Sequence, residues 1–332
     1  MKITFFSTKP YDRESFDTIN AGFGFELEYH KSQLTPGNAI LAHNSEAVCL
    51  FVHDTADAET IGILAQNGVR LIALRAAGFN NVDLQAAAEN NVRVVRVPAY
   101  SPYAVAEHAV ALMLALNRKT HRAFWRTRDG NFSLHGLMGF DMNGKTAGII
   151  GTGKIALKLI RILRGFGMNV LAYDLYPNEK AAREEGFSYV PLDELYARSD
   201  VISLHVPLTP QTRYMIDAEA IKKMKDHVMI INTGRGQLIH TNDLIEGLKS
   251  KKVGAAGLDV YEEEDDYFYE DRSDNIIDDD VLARLLSFNN VIVTSHQGFF
   301  TAEALRNIAQ TTLQNAADFA AGKPLDNEVK WD

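Results

Sequence analysis

Three polar residues follow apolar runs in the second half of the chain, and together their types suit one chemistry. After Val228-Met-Ile-Ile-Asn232 comes Thr233-Gly-Arg235-Gly236. After Gly257-Leu-Asp259-Val-Tyr261 come Glu262 to Glu264. After Val291-Ile-Val-Thr-Ser295 comes His296-Gln-Gly298. Arginine grips a carboxylate through two parallel hydrogen bonds and never loses its charge. Histidine can donate a proton near neutral pH. A neighbouring carboxylate favours the imidazolium and orients the ring. With a hydride donor, these types would make a reductase of 2-oxo acids. His205 is a rival acid, because it also follows an apolar run, Val201 to Leu204. Spacing does not separate the two histidines. Glu264, taken singly, is one of five consecutive acids from Glu262 to Asp266.

The hydride carrier is implied by Lys145-Thr-Ala-Gly-Ile-Ile-Gly151-Thr-Gly153-Lys-Ile-Ala156. This is a short apolar strand, a glycine turn and a helix with Ile155, Ala156, Leu159, Ile160 and Leu163 on one face. The following strand, Met168 to Tyr173, ends at Asp174. The pattern is a G-x-G-x-x-A form of the dinucleotide fingerprint with its acid in place. Gly151 permits the tight turn, and Gly153 leaves room for a pyrophosphate. The helix N-terminus offers that anion free N–H groups. Asp174 can accept hydrogen bonds from both ribose hydroxyls. NAD is therefore the expected cofactor, and no metal is called for.

Strands must carry these residues to one edge, since ligands of open α/β sheets bind beyond the carboxyl ends of the strands. The first hundred residues alternate strand candidates (Ile3 to Phe6, Ala47 to Val52, Val69 to Leu74, Val92 to Val97) with helical stretches at Ala56 to Asn67 and Asp83 to Asn90. That alternation predicts a parallel sheet covered on both faces. Pro98 and Pro102 bracket a turn before an apolar helix from about Val105 to Arg118. Five further strands follow from Val170 to Val293. The last helix, Ala302 to Ala321, has the apolar face to pack back on the first domain. The expected fold class is α/β, with two doubly wound parallel-sheet domains. Residues 1–99 and 299–332 form a discontinuous flavodoxin-like substrate domain, and residues 100–298 form a Rossmann NAD-binding domain.

Composition narrows the rest. The net charge of −9 is local: Glu262 to Asp280 holds eleven acids and one base, Arg272, leaving +1 over the remainder. Glu264 apart, that stretch reads as a solvated surface insertion. No basic patch points to nucleic acid. The single Cys49 sits in an apolar run and reads as a buried structural thiol of a reducing compartment. No leader is visible at the start, and no apolar run reaches the ~18 residues of a membrane span. The cytoplasm is the expected location. The aromatic-rich segment His121 to Phe140 suggests a subunit contact, with a homodimer or homotetramer as the expected assembly.

Several motifs in order resemble the D-isomer-specific 2-hydroxyacid dehydrogenases: Arg75-Ala-Ala-Gly-Phe-Asn-Asn-Val-Asp83, Val97-Pro-Ala-Tyr-Ser-Pro102, Ala106-Glu-His108, Gly151-Thr-Gly-Lys-Ile155, Asn232-Thr-Gly-Arg-Gly236, Leu258-Asp-Val-Tyr-Glu262 and Ser295-His-Gln297. The resemblance runs essentially end to end. It implies that Arg235 binds the substrate carboxylate, His296 is the general acid, Glu264 is its partner, and His205 lies near the cofactor. It places Gly151, Gly153, Lys154, Ile155, Asp174, Val206, Pro207, Thr212, Thr233, Gly234 and Asp259 around NAD. It gives Ala77 and Gly78 to the substrate carboxylate, and Tyr100, Phe299 and Phe51 to the substrate side chain. Phe23 to Glu28, Asn131 to Leu134 and the acidic insertion match the branch that acts on pyruvate. Enzymes for bulkier 2-oxo acids share the chemistry. Corepressors that sense NAD share the fold, but they carry disordered tails, which are not expected here. Ala156 replaces the commoner third glycine, and Gly298 stands where many relatives carry a larger residue.

Overall fold

The computed structural model describes residues 1–264 and 267–331. The chain divides into two units, Met1–Ser101 with Phe300–Asp332, and Pro102–Phe299. The crossings fall one or two residues later than the composition suggests. Pro102 opens a helix, a position that its fixed φ and missing N–H favour.

In unit 1, β1 (Lys2–Phe5), β2 (Glu26–Tyr29), β3 (Ala47–Leu50), β4 (Leu71–Leu74) and β5 (Arg93–Val95) lie parallel in the order β2-β1-β3-β4-β5. That is the flavodoxin order. A short antiparallel strand, Glu328–Val329, closes the β5 edge. Three helices, α1 (Pro10–Asn20), α2 (Ala58–Gln66) and α3 (Leu84–Glu89), make crossovers. Every residue of β3 and β4 is buried, as expected of parallel strands covered on both faces. The C-terminal helix Ala302–Ala320 packs on α1 and β4 through Ala304, Ile308, Ala309, Leu313 and Ala316. The expected return of this helix to the first domain is observed. Two strands of this unit were not foreseen. Glu26-Leu-Glu-Tyr29 is half-polar because it is an edge, and Glu328–Val329 is too short for a period.

A buried charge ties the strand ends of unit 1 together. Arg75, only 2% exposed, donates from Nη2 to the carbonyls of Phe6 (2.8 Å) and Ser7 (2.9 Å). Its Nη1 lies 3.3 Å from the Cys49 carbonyl and its Nε 3.5 Å from Asp12. Asp54 accepts from Ser7 Oγ and from the N–H groups of Leu34 and Phe51. Burial raises the Asp54 pKa, and the Arg75 charge pulls it back only in part. Cys49 is fully buried, with its thiol pushed up to about 12 by desolvation, so the structural reading of this residue holds.

In unit 2, β6 (Thr146–Ile150), β7 (Asn169–Tyr173), β8 (Ser188–Tyr189), β9 (Val201–Leu204), β10 (Val228–Asn232), β11 (Val253–Leu258) and β12 (Val291–Val293) are parallel, in the order β8-β7-β6-β9-β10-β11-β12. This is the Rossmann order extended by one strand. The helices are α4 (Pro102–Arg118), α5 (Thr120–Arg128), α6 (Lys154–Gly165), α7 (Glu179–Glu185), α8 (Leu192–Arg198), α9 (Ala218–Lys223), α10 (Thr241–Lys249) and α11 (Asp280–Leu286). Ala156, Leu159, Ile160 and Leu163 bury the inner face of α6, while Ile155 is only half-buried, unlike its place in the helical pattern. Leu112, Met113 and Leu116 of α4 join the same core.

The acidic stretch is not simply solvated, contrary to its charge. Phe268 is buried in the core cluster that contains Leu282 and Leu285. The Tyr267 hydroxyl accepts from the Asp279 N–H, and Tyr261 donates to the Asp279 carboxylate at 2.6 Å. Asp279 also caps α11 through the N–H groups of Val281 and Leu282. Apolar anchors and caps thus hold down a charged segment. Asp265 and Asp266 lie outside the described residues.

Arg75→Met is expected to destabilise the protein by about 3–5 kcal/mol, because it leaves a carboxylate buried without its counter-charge. Asp54 already has a raised folded pKa, which this substitution raises further. A group of that kind favours the folded state at low pH and loses the contribution as pH rises. Urea denaturation of the variant should therefore show a deficit that shrinks on acidification. A pH-independent deficit would mean that Arg75 acts by packing alone.

Candidate active site

Backbone register places the functional residues. Tyr173, Ile150, Leu204, Asn232, Leu258 and Val293 pair laterally in one row across the sheet. The segments after this row begin at Asp174, Gly151, His205, Thr233, Asp259 and Thr294. All of them leave the sheet at its carboxyl edge. The strand order reverses between β6 and β9, and there Gly151 meets His205. Gly151 has φ +91°, and a Cβ on it would stand 2.7 Å from the His205 carbonyl oxygen. Only glycine suits that turn.

The turn fits a dinucleotide. A Cβ on Gly153 would meet nothing within 4 Å, so the space above the α6 N-terminus is open. Asp174 accepts from Thr152 N–H at 2.6 Å, from Thr152 Oγ at 2.8 Å and from Tyr176 N–H at 2.9 Å. Desolvation raises its pKa, but these hydrogen bonds outweigh it and hold the carboxyl below its ordinary value. Asp174 therefore stays negative, a charge that suits a ribose diol and opposes a phosphate there. Lys154 is exposed at the first turn of α6. Thr212 fixes the loop after β9 by donating to the Pro207 carbonyl at 2.7 Å, with Val206 half-buried beside it. The Thr233 hydroxyl is buried without a hydrogen-bond partner. A bound group with a polar edge could satisfy it.

Glu264 and His296 meet directly. His296 Nδ1 lies 2.7 Å from Glu264 Oε1, and Tyr261 N–H donates to Glu264 Oε2 at 2.9 Å. A carboxylate only accepts, so the Nδ1 proton belongs to histidine and Nε2 remains for substrate. His296 takes φ +51°, a left-handed conformation uncommon outside glycine. Its loop is held by Asp259, which is 1% exposed. Asp259 accepts from Thr294 Oγ (2.6 Å), Gln297 N–H (2.9 Å) and Gly298 N–H (2.8 Å), and lies 3.1 Å from His108 Nε2 on α4. Desolvation works against this charge, but His108 and Thr294 prevail and its pKa is lowered. The Asp259 carbonyl also accepts from His296 N–H at 2.7 Å. A Cβ on Gly298 would stand 2.9 Å from the Asp259 carboxylate, which explains the small residue.

Arg235 sits on a loop braced from within. The buried Asn232 amide donates to the Arg235 carbonyl and accepts from Gly234 N–H. Gly236 packs so tightly that a Cβ would lie 2.0 Å from the Tyr261 carbonyl oxygen. The arginine loop is thereby pressed onto the segment that leads to Glu264. The sequence signal for Gly236 was available, as the glycine directly after Arg235. Asn232 and His108 stood in motifs of the family resemblance without a role assigned to them, and Thr294 gave no signal.

Their surroundings separate the histidines. Desolvation pushes the His205 imidazole down to about 4, and its Nε2 pairs with Ser203 Oγ at 2.8 Å. It is neutral where His296 faces a carboxylate. Phe299 is buried in unit 2, while Ala77, Gly78, Tyr100 and Phe51 belong to unit 1. Arg96 donates to the Ala77 carbonyl, and Asn307 to the Tyr100 carbonyl.

Comparison with known proteins bears on the whole chain. The family described as "D-isomer specific 2-hydroxyacid dehydrogenase, NAD binding domain" matches residues 110–298. A D-lactate dehydrogenase of Escherichia coli is 53% identical over 329 residues, covering 99% of this chain and 100% of that protein. The apo-structure of D-lactate dehydrogenase from Escherichia coli superposes with a TM-score of 0.92 at 51% identity, covering 99% of this chain and 100% of that one. A D-lactate dehydrogenase with NAD+ from Lactobacillus jensenii gives 0.85 at 32% identity, with both chains fully covered.

The depressed pKa of His205 makes a stability prediction. A histidine with a lowered folded pKa contributes fully above its unfolded value near 6.5, and the contribution is lost as pH falls towards about 4. His205→Asn should flatten the pH dependence of the urea midpoint across that window. An unchanged acid limb would show that His205 is not the group responsible.

Proposed function

Because the chain belongs to the D-isomer-specific 2-hydroxyacid dehydrogenase family, we propose that it reduces pyruvate to D-lactate with NADH, reversibly, and so regenerates NAD+ in fermentation. The observation that carries this reading is the Glu264–His296 contact at the edge that also holds the fingerprint turn and Arg235. NADH supplies the hydride. The Arg235 fork holds the substrate carboxylate and so fixes which carbonyl face is presented. His296 Nε2 protonates the ketone oxygen as the carbon is reduced. Glu264 balances the charge of the imidazolium and keeps the proton on Nδ1. In the reverse direction, neutral His296 takes the hydroxyl proton. Neutral His205 serves the cofactor side. The assignment of Ala77, Gly78, Tyr100 and Phe299 to the substrate is supported by the family resemblance. Pyruvate is favoured over bulkier 2-oxo acids by 53% identity to a D-lactate dehydrogenase along the full chain.

Assembly and location extend the reading. Phe124, Trp125, Phe132, Leu134 and Met138 are exposed within residues 120–140. We propose that a second copy of the chain covers them, in a homodimer or a tetramer built from it. No helix among the described residues is long and apolar enough to cross a membrane. Together with the single buried thiol, this supports a cytoplasmic enzyme.

Oxidation of NADH with pyruvate, with the product checked for chirality, tests the reading. D-lactate is expected, with NADH preferred over NADPH by at least about 10-fold in kcat/KM, a difference of only about 1.4 kcal/mol. His296→Ala should lose about 10²–10⁴-fold in kcat, and His205→Ala far less. Arg235→Lys should raise KM for pyruvate and lower kcat while NADH affinity holds. Faster turnover of phenylpyruvate or 2-oxoisocaproate would move the substrate to the bulkier class. Sedimentation of Trp125→Lys should show dissociation towards monomer, and an unchanged assembly would place the subunit contact elsewhere.

A further inference from the structure

The acidic segment reaches the general acid. Tyr269 lies five residues after Glu264, and its hydroxyl donates to the His296 carbonyl at 3.0 Å. Its ring also stacks on the His296 imidazole, with centroids 6.1 Å apart and planes inclined by 30°. Tyr269 adopts φ +66°, so the segment accepts a left-handed residue at the point where it makes this contact. Just before Tyr269 the segment is fastened by buried Phe268 and by the Tyr267 hydroxyl, which accepts from Asp279 N–H.

His296 needs such support. Its own left-handed backbone is strained and persists only where the surroundings over-determine it. Asp259 fixes the N–H side of the residue, and Glu264 fixes the imidazole through Nδ1. Tyr269 supplies what neither reaches, namely the carbonyl and a face of the ring.

We propose that Tyr269 is a positioning residue for His296, so that the aromatic run 267–269 of the acidic stretch is part of the acid–base machinery and not an appended surface. The proposal rests on the reading of His296 as the general acid. Labour is then divided along the aromatic run Tyr267-Phe268-Tyr269. The first two residues anchor the segment, and the third holds the catalytic loop in its strained form.

Tyr269→Phe keeps the ring and loses the hydroxyl, whereas Tyr269→Leu loses both. For pyruvate reduction, kcat should fall about 5-fold in the first and about 10²-fold in the second, with NADH Kd and pyruvate KM within about 2-fold of wild type. The His296 Nδ1–H proton resonance, assigned by its loss in His296→Gln, should shift slightly in Tyr269→Phe. In Tyr269→Leu it should broaden by exchange with water. Wild-type kcat in Tyr269→Leu overturns the proposal. So does a loss of kcat that comes together with NADH affinity and melting temperature, since that is a folding defect. If the wild-type protein reduces no 2-oxo acid, the functional reading fails, but the resonance still decides the positioning role. A resonance in Tyr269→Leu as sharp as in the wild type overturns it, whatever its shift, and one broadened by exchange with water upholds it.

Discussion

Six strands of unit 2 leave the sheet at the row Tyr173–Ile150–Leu204–Asn232–Leu258–Val293, and a parallel ladder forces their following loops to one edge. The site depends on that constraint. Residues far apart in sequence become neighbours because their strands end in register, without any loop reaching across the molecule. Slipping one strand would displace its functional residue by about 3.3 Å and turn its side chains to the other face. The loops then need only short-range bracing. Asp259 braces the histidine loop, the Asn232 amide braces the arginine loop, and Gly236 locks that loop to the chain before Glu264.

Most of this architecture was legible because parallel strands are uniformly apolar and their exits carry the chemistry. The fingerprint turn and the candidates Arg235, His205 and His296 follow from that rule, whereas the choice of His296 over His205, and of Glu264 among five consecutive acids, came from the family resemblance. Half-polar and very short strands escaped it: β2, β8 and Glu328–Val329 have no pattern to read. The acidic stretch misled because charge density was read as solvation. Its three aromatics are the informative residues, since Phe268 is buried and the hydroxyls of Tyr267 and Tyr269 are hydrogen-bonded. Asp259 illustrates another limit. Its buried carboxylate holds the His296 loop, and no pattern in the sequence records that bracing.

The two histidines show why spacing alone could not assign roles. Both follow apolar strands whose ends share a row. His205 is surrounded by packing that disfavours its charge, with only a serine hydroxyl against Nε2. His296 faces a carboxylate that sits in the chain of another loop. Sequence records neither the desolvation nor the partner, because each is created by folding.

Unit 2 is an uninterrupted stretch set inside unit 1. Synthesis from the ribosome therefore completes the cofactor turn and the acid–base pair before the helix Ala302–Ala320 exists. Until that helix emerges, α1 and one side of β4 have nothing to cover them, and the β5 edge is open. The first part of the chain to be made is thus the last to become stable. Its exposed apolar strands, and not the catalytic half, are the segment most in need of chaperone protection during growth of the chain.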